Sequence, residues 1–259
     1  MDEKRFNMLF FFIIVKKIFI SIMERAISYC VWGDQNMYNY GLYENALLLP
    51  KIFPGWKMIV YYTKTANLKV IKELNNMENV RCIEIDLPDS YRNSMLRFMA
   101  GFAKKYDATI FRDADSRLLK RDYKAVQEWL KSNKPFHIMR DHPNHGNKIS
   151  AGLWGVRNQF FVKHLEIKNK YFEYLEDKNL KKWTIDEQFL QKEVYPYVNQ
   201  NNSIIHASFH RKEIWAKDFP NDAEKRRQDN FCGKTFGWTE NASKKFNDPI
   251  VHQIKKRVG

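Results

Sequence analysis

The chain has 259 residues, enough to bury one sizeable core. Its 44% hydrophobic and 15% aromatic content excludes a disordered or collagen-like chain, and no fixed-period repeat or low-complexity tract is visible. A formal net charge of +14 calls for phosphorylated ligands, nucleic acid, an acidic membrane surface or simply a lysine-rich solvated exterior.

The basic residues are scattered, in short clusters such as Lys104-Lys105 and Arg226-Arg227. No arginine-rich arm or zinc-finger spacing accompanies them, so no specific nucleic-acid partner is expected. Three widely separated cysteines, Cys30, Cys82 and Cys232, form neither a disulfide framework nor a CxxC motif, which points to a reducing, cytoplasmic setting.

At the N-terminus, the apolar run Met8 to Val15 is interrupted by Lys16-Lys17 before Ile18 to Met23. Neither half reaches the roughly 20 residues that span a bilayer. Residues 1–23 are therefore expected to be a dispensable extension or a weak membrane association, and 24–259 a single domain.

From Ala26 onward, short apolar runs alternate with amphipathic stretches. Strands are expected at Ala26 to Trp32, Lys57 to Tyr62, Val80 to Ile85, Ala108 to Phe111, Phe136 to Met139, Leu153 to Val156 and Ile204 to Ala207. Helices are expected at Tyr43 to Leu49, Leu68 to Leu74, Asn93 to Lys105, Tyr123 to Lys131, Gln159 to Leu180 and Thr184 to Val194. This alternation predicts an α/β layered, Rossmann-like fold with a mostly parallel central sheet flanked by helices. Ligands of such sheets sit beyond the carboxyl ends of the strands, which nominates the loops after Trp32, Phe111, Met139 and Ala207. The charged tail after about residue 218 is expected to wrap over the core.

The segment Phe111-Arg112-Asp113-Ala114-Asp115-Ser116-Arg117 carries the most chemistry. Carboxylates at i and i+2 beyond a buried strand can both turn toward one hard cation, Mn²⁺ or Mg²⁺, that bridges phosphate oxygens. The loop Arg140 to Gly146 is dense in polar groups, and Gly152 and Gly155 bracket Trp154, which suggests close approach of a sugar to backbone. His142 and His145 lack an acidic or cysteine partner at zinc-site spacing. Asp186 and Glu187 open a helix, where acidic residues are favoured for structural reasons alone; the functional alternative is a carboxylate that meets an acceptor hydroxyl as general base.

FRDADS after a strand is similar to the DxD signature of GT-A glycosyltransferases. YCVWGDQNMYNYGLYEN, RFMAGF, HIMRDHPNHGNKISAGLWGVR, DEQFL and IIHASFH extend that resemblance over roughly residues 26–215. The resemblance implies a metal-dependent enzyme that moves a sugar from a UDP- or GDP-sugar to a glycan or other hydroxyl acceptor. It implies Asp113 and Asp115 as metal ligands with His206, or His210 in second place, and Arg97 and Arg112 on the nucleotide-sugar. Trp32, Gly33 and Asp34 would lie beside the nucleoside, with Asp113, Gly152 and Trp154 near the donor. It points to Asp186 as catalytic base, ahead of Asp141 and Glu187. A Mg²⁺-dependent phosphatase or nucleotidyltransferase and a non-catalytic nucleic-acid-binding protein are the competing classes. An aspartyl-phosphate phosphatase would carry its DxD directly after the first strand, and here the pair follows several βα units.

Overall fold

In the computed structural model, which describes residues 24–177, 179, 184–237, 242, 245 and 246, the apolar runs form one seven-stranded sheet. The strands are β1 (Glu24–Val31), β2 (Lys57–Tyr62), β3 (Val80–Glu84), β4 (Tyr106–Phe111), β5 (Phe136–Arg140), β6 (Trp154–Arg157) and β7 (Ser203–Ala207), in the spatial order β3-β2-β1-β4-β6-β5-β7. Strand β6 runs antiparallel to both β4 and β5; all other pairings are parallel. The sheet is thus mostly parallel, as the alternating pattern predicts. Residues 1–23 lie outside the described residues.

Helices α1 (Asn36–Ile52), α2 (Leu68–Asn75), α3 (Lys120–Ser132), α4 (Asn158–Lys163), α5 (Leu165–Glu176) and α6 (Ile185–Phe189) flank the sheet. Helix α1 is longer than its apolar repeat suggests at both ends. The Asn39 side chain ties its start by donating to the Gly33 and Gln35 carbonyls at 3.0 Å each. Pro50 is accommodated inside the last turn, and the helix ends at Ile52 where Phe53, the residue before Pro54, leaves the helical region (φ −123°, ψ 67°). The single helix expected over Gln159 to Leu180 breaks at His164 (φ −103°, ψ 76°), whose ring nitrogen pairs with the Phe160 carbonyl. After α6 the chain widens into a π-helical turn, Leu190–Val194.

Strand β1 has β2 on one side and β4 on the other, so the chain direction of winding reverses between β1 and β4. The register Ser28↔Phe111 places the loops after β1 and β4 side by side at the carboxyl edge. A parallel sheet opens a ligand crevice at such a reversal. Apolar clusters fill both faces, one around Tyr29, Leu42 and Trp129 and another around Phe98, Phe111, Trp154 and Phe189.

Candidate active site

The stretch before β4 decides much of the geometry. Apolar spacing there suggests an α-helix over Asn93 to Lys105; instead Tyr91–Phe102 is a 3₁₀ helix, capped by Ser90, whose side chain accepts from Arg92 N. With three residues per turn, positions i and i+3 eclipse. Tyr91, Ser94 and Arg97 consequently share one edge, and all three line a cavity of about 410 Å³. Its wall also includes Cys30, Trp32, Gln35 and Tyr38 from the β1–α1 region, Asp113 and Asp115 after β4, and Asp186 at the start of α6.

Arg97 is buried and organises this wall. It donates to the Ser94 carbonyl at 2.8 Å, to Asp186 Oδ2 at 2.9 Å and to Asp113 Oδ1. Burial opposes its charge, and Asp113 with Asp186 more than restores it. The Asp113 carboxylate occupies the space that a Cβ on Gly152 would fill. Gly41 similarly lets α1 press against the Ala114 carbonyl, which fixes the DxD turn from the other side. The sequence suggests that Gly152 admits a sugar; what it admits is Asp113.

Three carboxylates here are shifted toward the neutral form. Burial, then the charge of Asp113, raises the Asp115 carboxyl above its ordinary range. Burial raises Asp186, with Arg97 countering it, and burial followed by Asp186 raises Glu187. Asp113 and Asp115 line one cavity, and two neighbouring carboxylates there form a hard-oxygen pair whose mutual repulsion a divalent cation would relieve. Asp113 and Asp115 could supply two oxygens to such an ion; among the described residues no cluster of three or more His, Cys, Asp or Glu side chains is placed to hold one.

A second cavity of about 640 Å³ shares Trp32, Gln35 and Tyr91 with the first and is lined further by Gly33, Pro88, Asp89, Ser90 and Arg92. Beside it, Thr65 Oγ1 accepts from Gly33 N at 2.8 Å and donates to Asp89 Oδ1 at 2.6 Å, while Thr63 Oγ1 donates to the same carboxylate at 3.0 Å. These hydroxyls follow β2 and Asp89 follows β3. Sequence reasoning passed over both loops, although a rule that ligands gather beyond strand ends points to them.

Several residues nominated from the sequence lie elsewhere. Arg112 turns into the core and makes a bidentate pair with Asp122 at 2.8 and 2.7 Å, which leaves no fork for a phosphate. Asp141 is fully buried and accepts from Arg121 at 2.9 and 3.0 Å, Ser208 Oγ at 2.7 Å and Cys232 N at 3.0 Å, so it has no capacity for acid–base work. His206 is sealed within β7 against His137 (2.9 Å), with Glu128 on its other nitrogen, and does not reach the cavity. The positive-φ His210 pairs with the Pro143 carbonyl. Trp154 is a core ring packed on Phe111, and Asp34 is exposed without lining either cavity. Trp32, Gly33, Arg97, Asp113, Asp115 and Asp186 are brought together.

A contribution from the far C-terminal side was not foreseen in detail. The tail does wrap over the core: Cys232 is buried against the Asp141 network, Phe236 N donates to the Asp115 carbonyl at 2.8 Å, and Thr235 lines the carboxylate cavity.

The fold and the site together define a mixed α/β protein with an acidic pair at the carboxyl edge of a mostly parallel sheet. No protein-family model matches the sequence, and no curated protein does. Among solved structures the chain is similar to TarS 1-349 of S. aureus in complex with UDP, at 14% identity over 72% of this chain and 59% of that one, with a TM-score of 0.48. It is similar to the galactosyltransferase LgtC in complex with donor and acceptor sugar analogs, at 10% identity over 70% and 73% of the two chains and a TM-score of 0.45. A 4-diphosphocytidyl-2C-methyl-D-erythritol synthase from Anaerococcus prevotii DSM 20548 gives 10% identity over 73% and 89%, with a TM-score of 0.44.

Proposed function

We propose that this protein is a metal-dependent glycosyltransferase that uses a nucleotide-sugar donor and a hydroxyl acceptor. The observation that carries the reading is the convergence of Asp113, Asp115, Arg97 and Asp186 on one cavity that adjoins a second at the β1–β4 crevice. Asp113 and Asp115 would hold Mn²⁺ or Mg²⁺, which when bound supplies positive charge to the diphosphate leaving group. The cavity under Gly33, Trp32 and Asp89 has the room and the polar groups for a nucleoside, with the Gly33 backbone open to close approach.

Arg97 holds Asp113 and Asp186 in fixed relation, so its role in this reading is orientation of the two carboxylates. Asp186 faces the cavity with a carboxyl raised by burial, the direction that makes a carboxylate a better proton acceptor at neutral pH. It is the candidate general base for the acceptor hydroxyl. In this reading the cavity would hold donor and acceptor side by side, which lowers the entropic part of the barrier.

The test is release of UDP or GDP from a panel of nucleotide-sugars with Mn²⁺ present and with EDTA. We expect slow Mn²⁺-dependent hydrolysis that Asp115→Ala abolishes. Steep salt-dependent DNA binding that survives this substitution, with no nucleotide-sugar turnover, would favour the nucleic-acid-binding class instead.

A further inference from the structure

The loop after β5 carries two imidazoles whose tautomers the backbone fixes. Asp141 N donates to His145 Nδ1 at 3.1 Å, and Asn144 N donates to His142 Nδ1 at 3.2 Å. A ring nitrogen that accepts an N–H carries no proton, so in each neutral imidazole the proton sits on Nε2. A metal-bound Nε2 needs the opposite tautomer, with Nδ1 as the donor. The pair is therefore not built for a cation. Neither Nε2–H has a partner among the described residues, both are open to solvent, and the two ring centres lie 5.6 Å apart.

A segment of the C-terminal tail completes a patch around these donors. Phe231 stacks on His142 with ring centres 4.3 Å apart and meets His145 at 5.9 Å. Arg226 Nε donates to the Asp141 carbonyl at 2.7 Å, and its guanidinium lies 4.7 Å from the centre of Phe209 and 5.6 Å from that of Phe231. Its terminal nitrogens have no hydrogen-bond partner among the described residues. Asp141 does not oppose an anion there, because Arg121, Ser208 and Cys232 N occupy its carboxylate. A guanidinium beside two fixed N–H donors suits a phosphate or a carboxylate.

Position along the sheet indicates which ligand would meet this patch. In the order β3-β2-β1-β4-β6-β5-β7, the cavity assigned to the nucleoside lies beyond β1 to β3, and Asp113 and Asp115 follow β4. His142 follows β5 and Phe209 follows β7, on the opposite side of the carboxylates. The tail segment runs on from Phe231 to Thr235 in the carboxylate cavity wall, and the β5–β6 loop runs on to Gly152 against Asp113. The patch thus adjoins the cavity at the end away from the nucleoside.

We propose that His142, His145 and Arg226 receive an anionic group, a phosphate or a carboxylate, carried by the acceptor. This rests on the glycosyltransferase reading above and narrows its acceptor from any hydroxyl compound to an acidic one.

The experiment is calorimetric titration of the full chain, with Mn²⁺ and UDP or GDP bound, for wild type, His142→Phe and Arg226→Met. The probes are glucose 6-phosphate, glucuronate and glucose. His142→Phe keeps a ring on Phe231 and gives up only an exposed bond from Asn144 N. We expect wild type to bind one of the acidic sugars at least 10-fold more tightly than glucose, and the better of the two identifies the group as phosphate or carboxylate. Each variant should lose about 10-fold or more of that affinity, the loss expected for one hydrogen bond to a charged group, with nucleotide affinity unchanged. Equal affinity for glucose and both acidic sugars, or no loss in either variant, would overturn the assignment. Loss of UDP or GDP affinity to the same extent would give the patch to the donor diphosphate instead. Imidazole ¹⁵N shifts test the wild type without substitution: both histidines should report Nε2–H and respond to the acidic sugar, and Nδ1–H tautomers would refute the donor pair. Wild type that binds neither nucleotide with Mn²⁺ overturns the glycosyltransferase reading and with it the acceptor role; the anion patch then stands or falls on the acidic-sugar titration alone.

Discussion

Replacing Gly152 with alanine tests the site through one methyl group. The added Cβ would coincide with the Asp113 carboxylate, and no backbone atom is among its nearest neighbours. The collision is therefore relieved by rotating the Asp113 side chain out of its ion pair with Arg97, which displaces one carboxylate of the DxD pair. Loss of a hydrogen bond between charged groups costs about 1.5–3 kcal/mol of stability, or about 3–12 °C in melting temperature for a domain of this size, while misplacing a metal-site group separately costs about 10- to 100-fold in metal affinity. We expect Gly152→Ala to lose Mn²⁺ and donor affinity by about that factor, measured by calorimetric titration on the protein that remains folded. Gly155→Ala is the contrast. Its Cβ would meet Ile110 Cγ2 at 2.8 Å and the Thr109 carbonyl at 3.1 Å, inside the sheet. Overpacking of that kind costs about 1–3 kcal/mol of stability, and the folded fraction should bind normally. Unchanged Mn²⁺ affinity in Gly152→Ala, or equal loss of affinity in both variants, would refute the reasoning.

Two further substitutions probe the residues that the structure moves out of the site. Arg112→Met leaves Asp122 buried without its partner, which costs about 3–5 kcal/mol and about 6–20 °C in melting temperature for a domain of this size. Calorimetry should show that loss without a selective loss of donor affinity in the protein that remains folded. His206 is held down to about 4 by burial, reinforced by Arg121, so the unfolded chain takes up a proton near pH 6.5 that the folded chain refuses. Stability present above pH 6.5 is therefore lost as pH falls toward 4, by roughly 3 kcal/mol from this group. Burial acts in the same direction on His137 and His145. Denaturant midpoints at pH 7.5 and 4.5 should differ less in His206→Gln than in wild type, and Mn²⁺ affinity at neutral pH should not change. An identical pH dependence would show that His206 is not the buried neutral group described here.

The layered architecture was readable because strand-length apolar runs recur between amphipathic stretches, and the carboxylate pair because it directly follows one such run. What could not be read was the backbone type that aims the side chains. Leu96, Met99, Ala100 and Ala103 satisfy an α-helical repeat well enough, yet Ser90, Asn93 and Gly101 settle the chain as a 3₁₀ helix. Asn93 donates to the Pro88 carbonyl at 3.1 Å, and Gly101 lies where a Cβ would press on Phe111 at 3.0 Å. In that form Tyr91, Ser94 and Arg97 stack along one edge. Trp154 and Arg112 illustrate the other difficulty. Both occupy positions in motifs that the resemblance links to ligand; Trp154, at the start of β6, packs on Phe111, and Arg112, just past the end of β4, folds back onto Asp122. Thr235 had no local signal at all, since its bridge partner is Ser116, far away in sequence.

The site is distinguished less by having carboxylates than by how its carboxylates are satisfied. Asp122, Asp141 and Glu213 are the most buried acids among the described residues, and each is gripped by two nitrogens of an arginine: Arg112, Arg121 and Arg140. Such pairs neutralise one another inside the fold and leave nothing for a ligand to gain. At the β1–β4 crevice the arithmetic differs. One guanidinium, Arg97, is divided between Asp113 and Asp186, while Asp115 and Glu187 stand within reach of the same charges. That surplus of negative charge sits in a cavity on a chain whose overall balance is +14. In the metal-dependent reading proposed above, a cation localised there would turn a crevice that repels a diphosphate into one that attracts it, so cation and nucleotide should bind with positive coupling. Calorimetric titration of UDP or GDP should accordingly show an affinity that rises with Mn²⁺, and an affinity indifferent to Mn²⁺ would separate the acidic cluster from nucleotide binding.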